Sequence, residues 1–174
     1  ISDYYHAYEH LVKKANGLKN VKIGLVDTGA SCNHEDLKDN LVSNCGFDAI
    51  NGSSAEDKDG HGSHVAGLIG AVTNNGKGIL GITGNTAELH AIRVINIDTG
   101  TSTDTANGIQ YAIDNHMDVI NISLGASSRM YDVESKIQQA VAAGIFVSMA
   151  AGNNGKEIDP SDNEKIPSPA VIGK

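Results

Sequence analysis

Apolar positions along the chain fall in two periods, and their alternation lays out the fold. Between Val21 and Asp27 the residues Val21, Ile23, Leu25 and Val26 crowd together as in a strand buried on both faces, and Thr28-Gly29 ends it. Upstream, Tyr4, Ala7, Tyr8, Leu11 and Val12 recur at helical spacing, which predicts a helix from Tyr4 to Ala15 closed by Asn16-Gly17. A polar, irregular stretch then runs to Asp59. A helix is expected from His61 to about Val72, lined with the small residues Ala66, Gly67 and Gly70, and a Gly/Asn-rich loop from Asn74 to Gly84. From there the pattern is regular: strand Leu89 to Ile95, helix Asp104 to Asn115, strand Asp118 to Leu124, helix Val133 to Ala143, strand Ile145 to Ala150.

Units of strand, helix and strand spaced by about 30 residues build a parallel sheet with right-handed crossovers. The expected fold is therefore an α/β domain with a mostly parallel sheet and helices on both faces. No internal repeat, low-complexity tract or linker divides residues 1–174, so a second domain is not expected within them. Ligands of such sheets bind at the carboxyl ends of the strands. Asp27, Ser123-Leu124-Gly125 and Asn153 all follow predicted strand ends, and His61 opens the helix among them.

Composition narrows the function. The 174 residues are 40% hydrophobic and 20% charged, suited to one globular core. A net charge of -8 without a Lys/Arg cluster argues against nucleic acid and against anionic membranes, which both need a basic footprint. No apolar run reaches membrane-spanning length, so membrane insertion is not expected. The two cysteines, Cys32 and Cys45, either close a loop worth about 3 kcal/mol in the chain-entropy account or stand as free buried thiols. Asn51-Gly52-Ser53 is a glycan acceptor sequence in a polar loop, whereas Asn121-Ile122-Ser123 falls in a strand and is expected to be inaccessible.

Two motifs mislead. Gly76-Lys77-Gly78-Ile79-Leu80-Gly81 fits the dinucleotide-binding pattern, but it follows a helix and opens none, leaving a pyrophosphate no helix N-terminus to meet. His61 and His64 sit three apart on one helix, yet no other metal ligand falls at a zinc spacing nearby, and His64 is expected to turn into the fold.

The chemistry rests on Asp27, His61 and Asn153. Gly60 and Gly62 let the chain turn sharply into the helix, placing His61 at its N-terminus, where the positive end of the dipole favours a neutral imidazole able to take a proton. A carboxylate after a strand can hold that ring's tautomer, and an asparagine amide can donate to an oxyanion. Their settings are Val26-Asp27-Thr28-Gly29, His61-Gly62-Ser63-His64-Val65-Ala66-Gly67 and Ala151-Gly152-Asn153-Asn154-Gly155.

In those segments, and over nearly its whole length, the chain resembles the subtilisin-like serine proteases, or subtilases, whose catalytic order is Asp, His, Ser. The resemblance implies a serine endopeptidase hydrolysing polypeptides through an acyl-enzyme, with Asp27 as triad acid, His61 as general base and Asn153 as side-chain oxyanion donor. Ser123-Leu124-Gly125, with Gly100 flanking the other side, resembles the strands that pair with an extended substrate. It also implies a secreted, extracytoplasmic protein made as a zymogen. The family nucleophile follows the histidine by about 160 residues, past Lys174. Ser63 is no substitute, since it lies on the helix facing elsewhere. The chain then corresponds to the N-terminal part of a catalytic domain, and its expected partner is the C-terminal part of the same domain. An inactive protease-like module that grips extended peptides is the alternative, and a nucleotide-binding α/β domain, recognisable by nucleotide-dependent thermal stabilisation, a third reading.

The resemblance further places Asp36 and Asn75 where many subtilases bind structural calcium, with carbonyls near Val72, Lys77 and Ile79 as further oxygens. Ser102-Thr103-Asp104-Thr105-Ala106 stands where many of them put bulky apolar residues, so selection for a large side chain four residues upstream of the cut is expected to be weak.

Overall fold

A computed structural model describes residues 20–96, 99–126, 128–153 and 155. The helix expected from Tyr4 to Ala15 lies outside the described residues. Five strands and three helices follow in the order β1 (Val21–Asp27), β2 (Leu41–Asp48), α1 (His61–Gly70), β3 (Ala87–Arg93), α2 (Ser102–Asp114), β4 (Val119–Ile122), α3 (Tyr131–Ala142) and β5 (Phe146–Met149). The strands form one parallel sheet in the order β2-β3-β1-β4-β5.

β1 is the central strand because its side chains are apolar on both faces. Leu25 and Val26 point to opposite sides, and each is wholly buried. Leu25 joins Ile23, Leu89, Ala91 and Ala66 beneath α1. Val26 joins Ile92, Ile109, Ile120, Val133 and Ile137 beneath α2 and α3. Burying a side chain of this size contributes about 1.5–3 kcal/mol, so the double-sided burial of β1 fixes the level at which its carboxyl end, Asp27, emerges.

The sequence pattern misses β2. This strand changes register against β3 between Leu41 and Gly46, so alternation breaks and Ser43 and Asn44 stand exposed in mid-strand. Gly46 is required at the irregularity: its φ is 137°, and a Cβ there would meet the Ala91 carbonyl oxygen at 2.0 Å. The neighbouring Cys45 pairs with Cys32, Sγ to Sγ, closing the loop of 13 residues that the sequence left open. The disulfide ties the loop after β1 to the edge of the sheet.

β2 also brings an ion pair indoors. Asp48 Oδ2 accepts from Arg93 Nη1 at 3.0 Å, with both side chains almost wholly buried, and it takes the Ser53 hydroxyl at 2.8 Å. Losing one partner leaves the other charge buried and unpaired. Asp48→Ala is expected to lower stability by about 3–5 kcal/mol, measured by chemical denaturation.

Asn51 lies in an exposed turn, as its polar surroundings suggest. Asn121 is half-buried in β4, with Nδ2 donating to Ser123 Oγ at 2.8 Å.

Candidate active site

His61 is the first residue of α1, and the turn into that helix is built from glycine. Gly60 caps it at φ 111°, a left-handed conformation that a side chain would strain. Gly62 lies against the loop after β1: a Cβ on it would meet the Gly29 carbonyl oxygen at 2.1 Å, and one on Gly29 the Ala55 carbonyl oxygen at 2.2 Å. Backbone therefore touches backbone where α1 leans on the end of β1. That approach brings His61 Nδ1 to 2.7 Å from Asp27 Oδ1.

The two side chains differ in exposure. Asp27 is 1% exposed and His61 51%, so the carboxylate supports the ring from beneath while the ring faces outward. Asp27 Oδ1 also accepts the Thr28 backbone N–H at 2.7 Å. Burial raises the Asp27 pKa, and the bonds from His61 and Thr28 offset that only in part. The Asp27 hydrogen bond raises the His61 pKa against the cost of desolvation, with Asp59 and Asp57 adding to the rise. The helix end, which favours the neutral ring, is thus opposed by these carboxylates. Held through Nδ1, the ring is left with Nε2 free to take and return a proton.

Asp57 is the residue the sequence reading missed. Its Oδ1 accepts from the Thr28 hydroxyl at 2.9 Å and from the backbone N–H groups of Asp59 at 2.9 Å and Gly60 at 3.0 Å. Its Oδ2 accepts from the Ser63 N–H at 2.9 Å and the Ser63 hydroxyl at 2.6 Å. Burial opposes its charge, but the bonds from Ser63, Gly60 and Asp59 prevail and bring its pKa down to about 2. A carboxylate so depressed contributes stability that is fully present above its ordinary 3.8 and lost as pH falls through about 2. The stability gap between wild type and Asp57→Asn is expected to narrow from pH 4 to pH 2, followed by denaturant titration at each pH.

Ser63 is occupied elsewhere, as its place on the helix implies. Besides its bonds to Asp57, its Oγ accepts the Ser31 N–H at 2.9 Å. Among the described residues no hydroxyl hydrogen-bonds His61 Nε2. His64 is exposed, which corrects the expectation that it turns inward. The buried stripe of α1 is Gly62, Ala66 and Gly70, and His64 stands off it.

The other sequence-predicted residues lie along the same edge of the sheet. Ser123, Leu124 and Gly125 follow β4, and Gly100 follows β3, so they leave the two strands that flank β1. Gly125 and Gly100 are exposed, while Leu124 packs partly on the core. Gly100 sits where a Cβ would meet Ile95 Cγ1 at 2.6 Å, so its backbone lies close on the chain leaving β3. Asn153 is exposed in a bend after β5, two strands from Asp27, and among the described residues no hydrogen bond joins it to Asp27 or His61. Ser102 to Ala106 form the first turns of α2, capped reciprocally by Thr101 and Asp104.

Asp36 and Asn75 are brought together away from the pair. Asp36 is buried, with Oδ1 accepting from Asn75 Nδ2 at 2.7 Å and Oδ2 from the Ile79 N–H at 3.0 Å. Asn75 Oδ1 accepts the Lys77 N–H at 2.9 Å. The loop closes tightly on the carboxylate at Gly78, whose φ is 49°. One buried carboxylate and one carboxamide, wrapped by a backbone loop, are donors that fit a hard cation once the Asn75 amide turns its oxygen inward. Among the described residues no group of three or more His, Cys, Asp or Glu side chains could hold a metal.

The domain is thus of the α/β class, a parallel sheet with a buried carboxylate holding an outward imidazole at the carboxyl end of its central strand. Comparison with known proteins makes the class specific. The Subtilase family profile matches residues 18–173, and the chain belongs to that family. It is 42% identical over 146 residues to Subtilisin DY of Bacillus licheniformis, covering 82% of this chain and 51% of that protein. Thermitase of Thermoactinomyces vulgaris is 43% identical over 136 residues, covering 77% of this chain and 48% of the other. The major intracellular serine protease of Bacillus subtilis is 36% identical over 142 residues, covering 79% and 44%. The crystal structure of a cold adapted subtilisin-like serine proteinase superposes with a TM-score of 0.73 at 28% identity, covering 88% of this chain and 52% of that one. The chain spans about half the length of these relatives.

Proposed function

We propose that these residues are the acid–base half of a serine endopeptidase that hydrolyses polypeptides through an acyl-enzyme. The observation that carries the reading is the 2.7 Å bond between buried Asp27 and outward-facing His61 in a chain of the Subtilase family. In this reading Asp27 fixes the tautomer, His61 Nε2 takes the proton of a serine hydroxyl and passes it to the leaving amine, and Asn153 donates to the oxyanion. The nucleophile is carried outside the 174 residues, which agrees with the engagement of Ser63 by Asp57 and Ser31. Ser123 to Gly125 and Gly100 pair with the backbone of an extended peptide on either side. The small and polar start of α2 gives a pocket with little to gain from a large apolar side chain.

The C-terminal part of the domain is the proposed partner. Among the described residues β5 is an edge strand, and Phe146 on it is 68% exposed. The Cys32–Cys45 disulfide supports secretion, since such bonds persist in oxidising compartments. The test of function is peptide hydrolysis by residues 1–174 alone, by the protein extended past residue 174, and by the two pieces mixed. Activity of the extended protein or the mixture, lost in His61→Ala, supports an enzyme. Peptide binding without turnover by the extended protein supports the inactive module instead.

Calcium is the proposed structural ion, held by Asp36, Asn75 and loop carbonyls. At 100-fold excess over its dissociation constant such an ion stabilises by about 2.7 kcal/mol. EDTA is expected to lower the melting temperature of the wild-type protein, and to leave that of Asp36→Ala unmoved. An EDTA-insensitive wild type would leave the loop held by hydrogen bonds alone.

A further inference from the structure

We infer that Asp57 is a positioning residue that locks the Asp27 and His61 segments to one another. The inference rests on the reading of those two residues as triad members and extends it to a residue that touches neither. Thr28 and the first turn of α1 come from different elements, and the Asp57 carboxylate holds both. On one side it fixes the Thr28 hydroxyl, which in turn accepts the Gly62 N–H at 2.8 Å, while the Thr28 N–H lies on Asp27 Oδ1. On the other it takes Gly60 and both donors of Ser63, at the turn that presents His61. Five hydrogen bonds from four residues converge on this one side chain. It sets the separation of the Asp27 carboxylate and the imidazole without contacting either.

An isosteric amide breaks this arrangement. In Asp57→Asn one oxygen keeps its three donors, but an NH2 group confronts the Ser63 N–H, donor against donor. The helix start must then shift from Thr28, and small displacements of a reacting group are costly, about 10²-fold for roughly 1 Å. Asp59→Asn is the control for charge. It removes a carboxylate from the same turn that also raises the His61 pKa; Asp59 Oδ1 accepts the His61 N–H at 3.1 Å, a bond the amide oxygen keeps, and Asp59 makes no side-chain bond to Thr28 or Ser63.

The experiment uses the protein extended past residue 174, with two readouts. The first is the low-field NMR signal of the His61 Nδ1–H bonded to Asp27, which requires no turnover. It is expected to weaken or move upfield in Asp57→Asn and to persist in Asp59→Asn. The second is kinetic: Asp57→Asn lowers kcat about 10²-fold with KM little changed, and Asp59→Asn costs distinctly less. Should Asp57→Asn fail to fold, Ser63→Ala, which removes one of the five bonds, is read in the same way, with a smaller fall in kcat expected. Equal effects of the two Asn variants would overturn the inference in favour of charge alone. An unaltered Nδ1–H signal in folded Asp57→Asn, or in Ser63→Ala where that variant stands in, would overturn it also. An extended wild type that hydrolyses nothing would sink the protease reading, and the NMR comparison would still decide the role of Asp57.

Discussion

Gly62→Ala is expected to abolish hydrolysis by the extended protein and to lower its stability, although it adds only one methyl group. The added Cβ would stand 2.1 Å from the Gly29 carbonyl oxygen and 3.0 Å from the Gly29 nitrogen. Neither atom is the end of a flexible side chain, so relief comes only by moving α1 away from the loop after β1. Overpacking of this kind costs about 1–3 kcal/mol. The movement also lengthens the His61–Asp27 bond and breaks the Gly62 bond to Thr28, so activity falls further than stability alone accounts for. Denaturant unfolding together with peptide hydrolysis at a temperature where the variant is folded separates the two effects. Full activity in a folded Gly62→Ala protein would show that the contact of α1 with β1 does not set the pair.

Asp27→Asn is expected to have the opposite balance, a large kinetic loss with no loss of stability. One oxygen, Oδ1, takes both the Thr28 N–H and His61 Nδ1, so an amide of the same shape that turns its NH2 to His61 Nδ1 leaves the ring proton on Nε2, where a base is needed, and gives up the Thr28 N–H. In serine proteases the loss of this carboxylate lowers kcat by about 10⁴-fold. Stability moves the other way because the carboxylate is buried, its Oδ2 has no hydrogen-bond partner among the described residues, and burial raises its pKa. The ionised group is thus costly to keep at neutral pH, and the neutral amide removes that cost. A melting temperature equal to or above that of wild type is expected, along with the slow turnover. A variant that both melts early and stays active would contradict this account of Asp27.

How much of this was legible in the sequence depended on whether the signal was local. The apolar run of β1 ends at Asp27, and the Gly60-His61-Gly62 turn marks a helix start, so the meeting of a strand end with a helix mouth followed from residues a few positions apart. β2 was hidden because its register shift at Gly46 removes the alternation by which strands are recognised. The disulfide was undecided because two cysteines alone do not fix the redox compartment, and the strand that carries Cys45 to Cys32 had gone unseen.

Asp57 was missed because an acidic residue in a polar loop with Glu56 and Asp59 beside it looks solvated. A signal was present, since it precedes the first helical residue by four and Ser63 by six, within reach of the unpaired N–H groups of the first turn. His64 was readable from helical period alone: Gly62, Ala66 and Gly70 form the buried stripe, and His64 is two residues from its nearest members. The Asp36–Asn75 approach came from family resemblance, not from spacing, because 39 residues separate them.

The central claim is that Asp27 and His61 serve a serine carried outside these residues. The most direct test is to label the protein extended past residue 174 with a fluorophosphonate and locate the adduct by peptide mass spectrometry, in wild type and in His61→Ala. The expected result is a single adduct on a serine beyond residue 174 in wild type and none in His61→Ala. An adduct on a serine within residues 1–174, or labelling undiminished by the loss of His61, would contradict it.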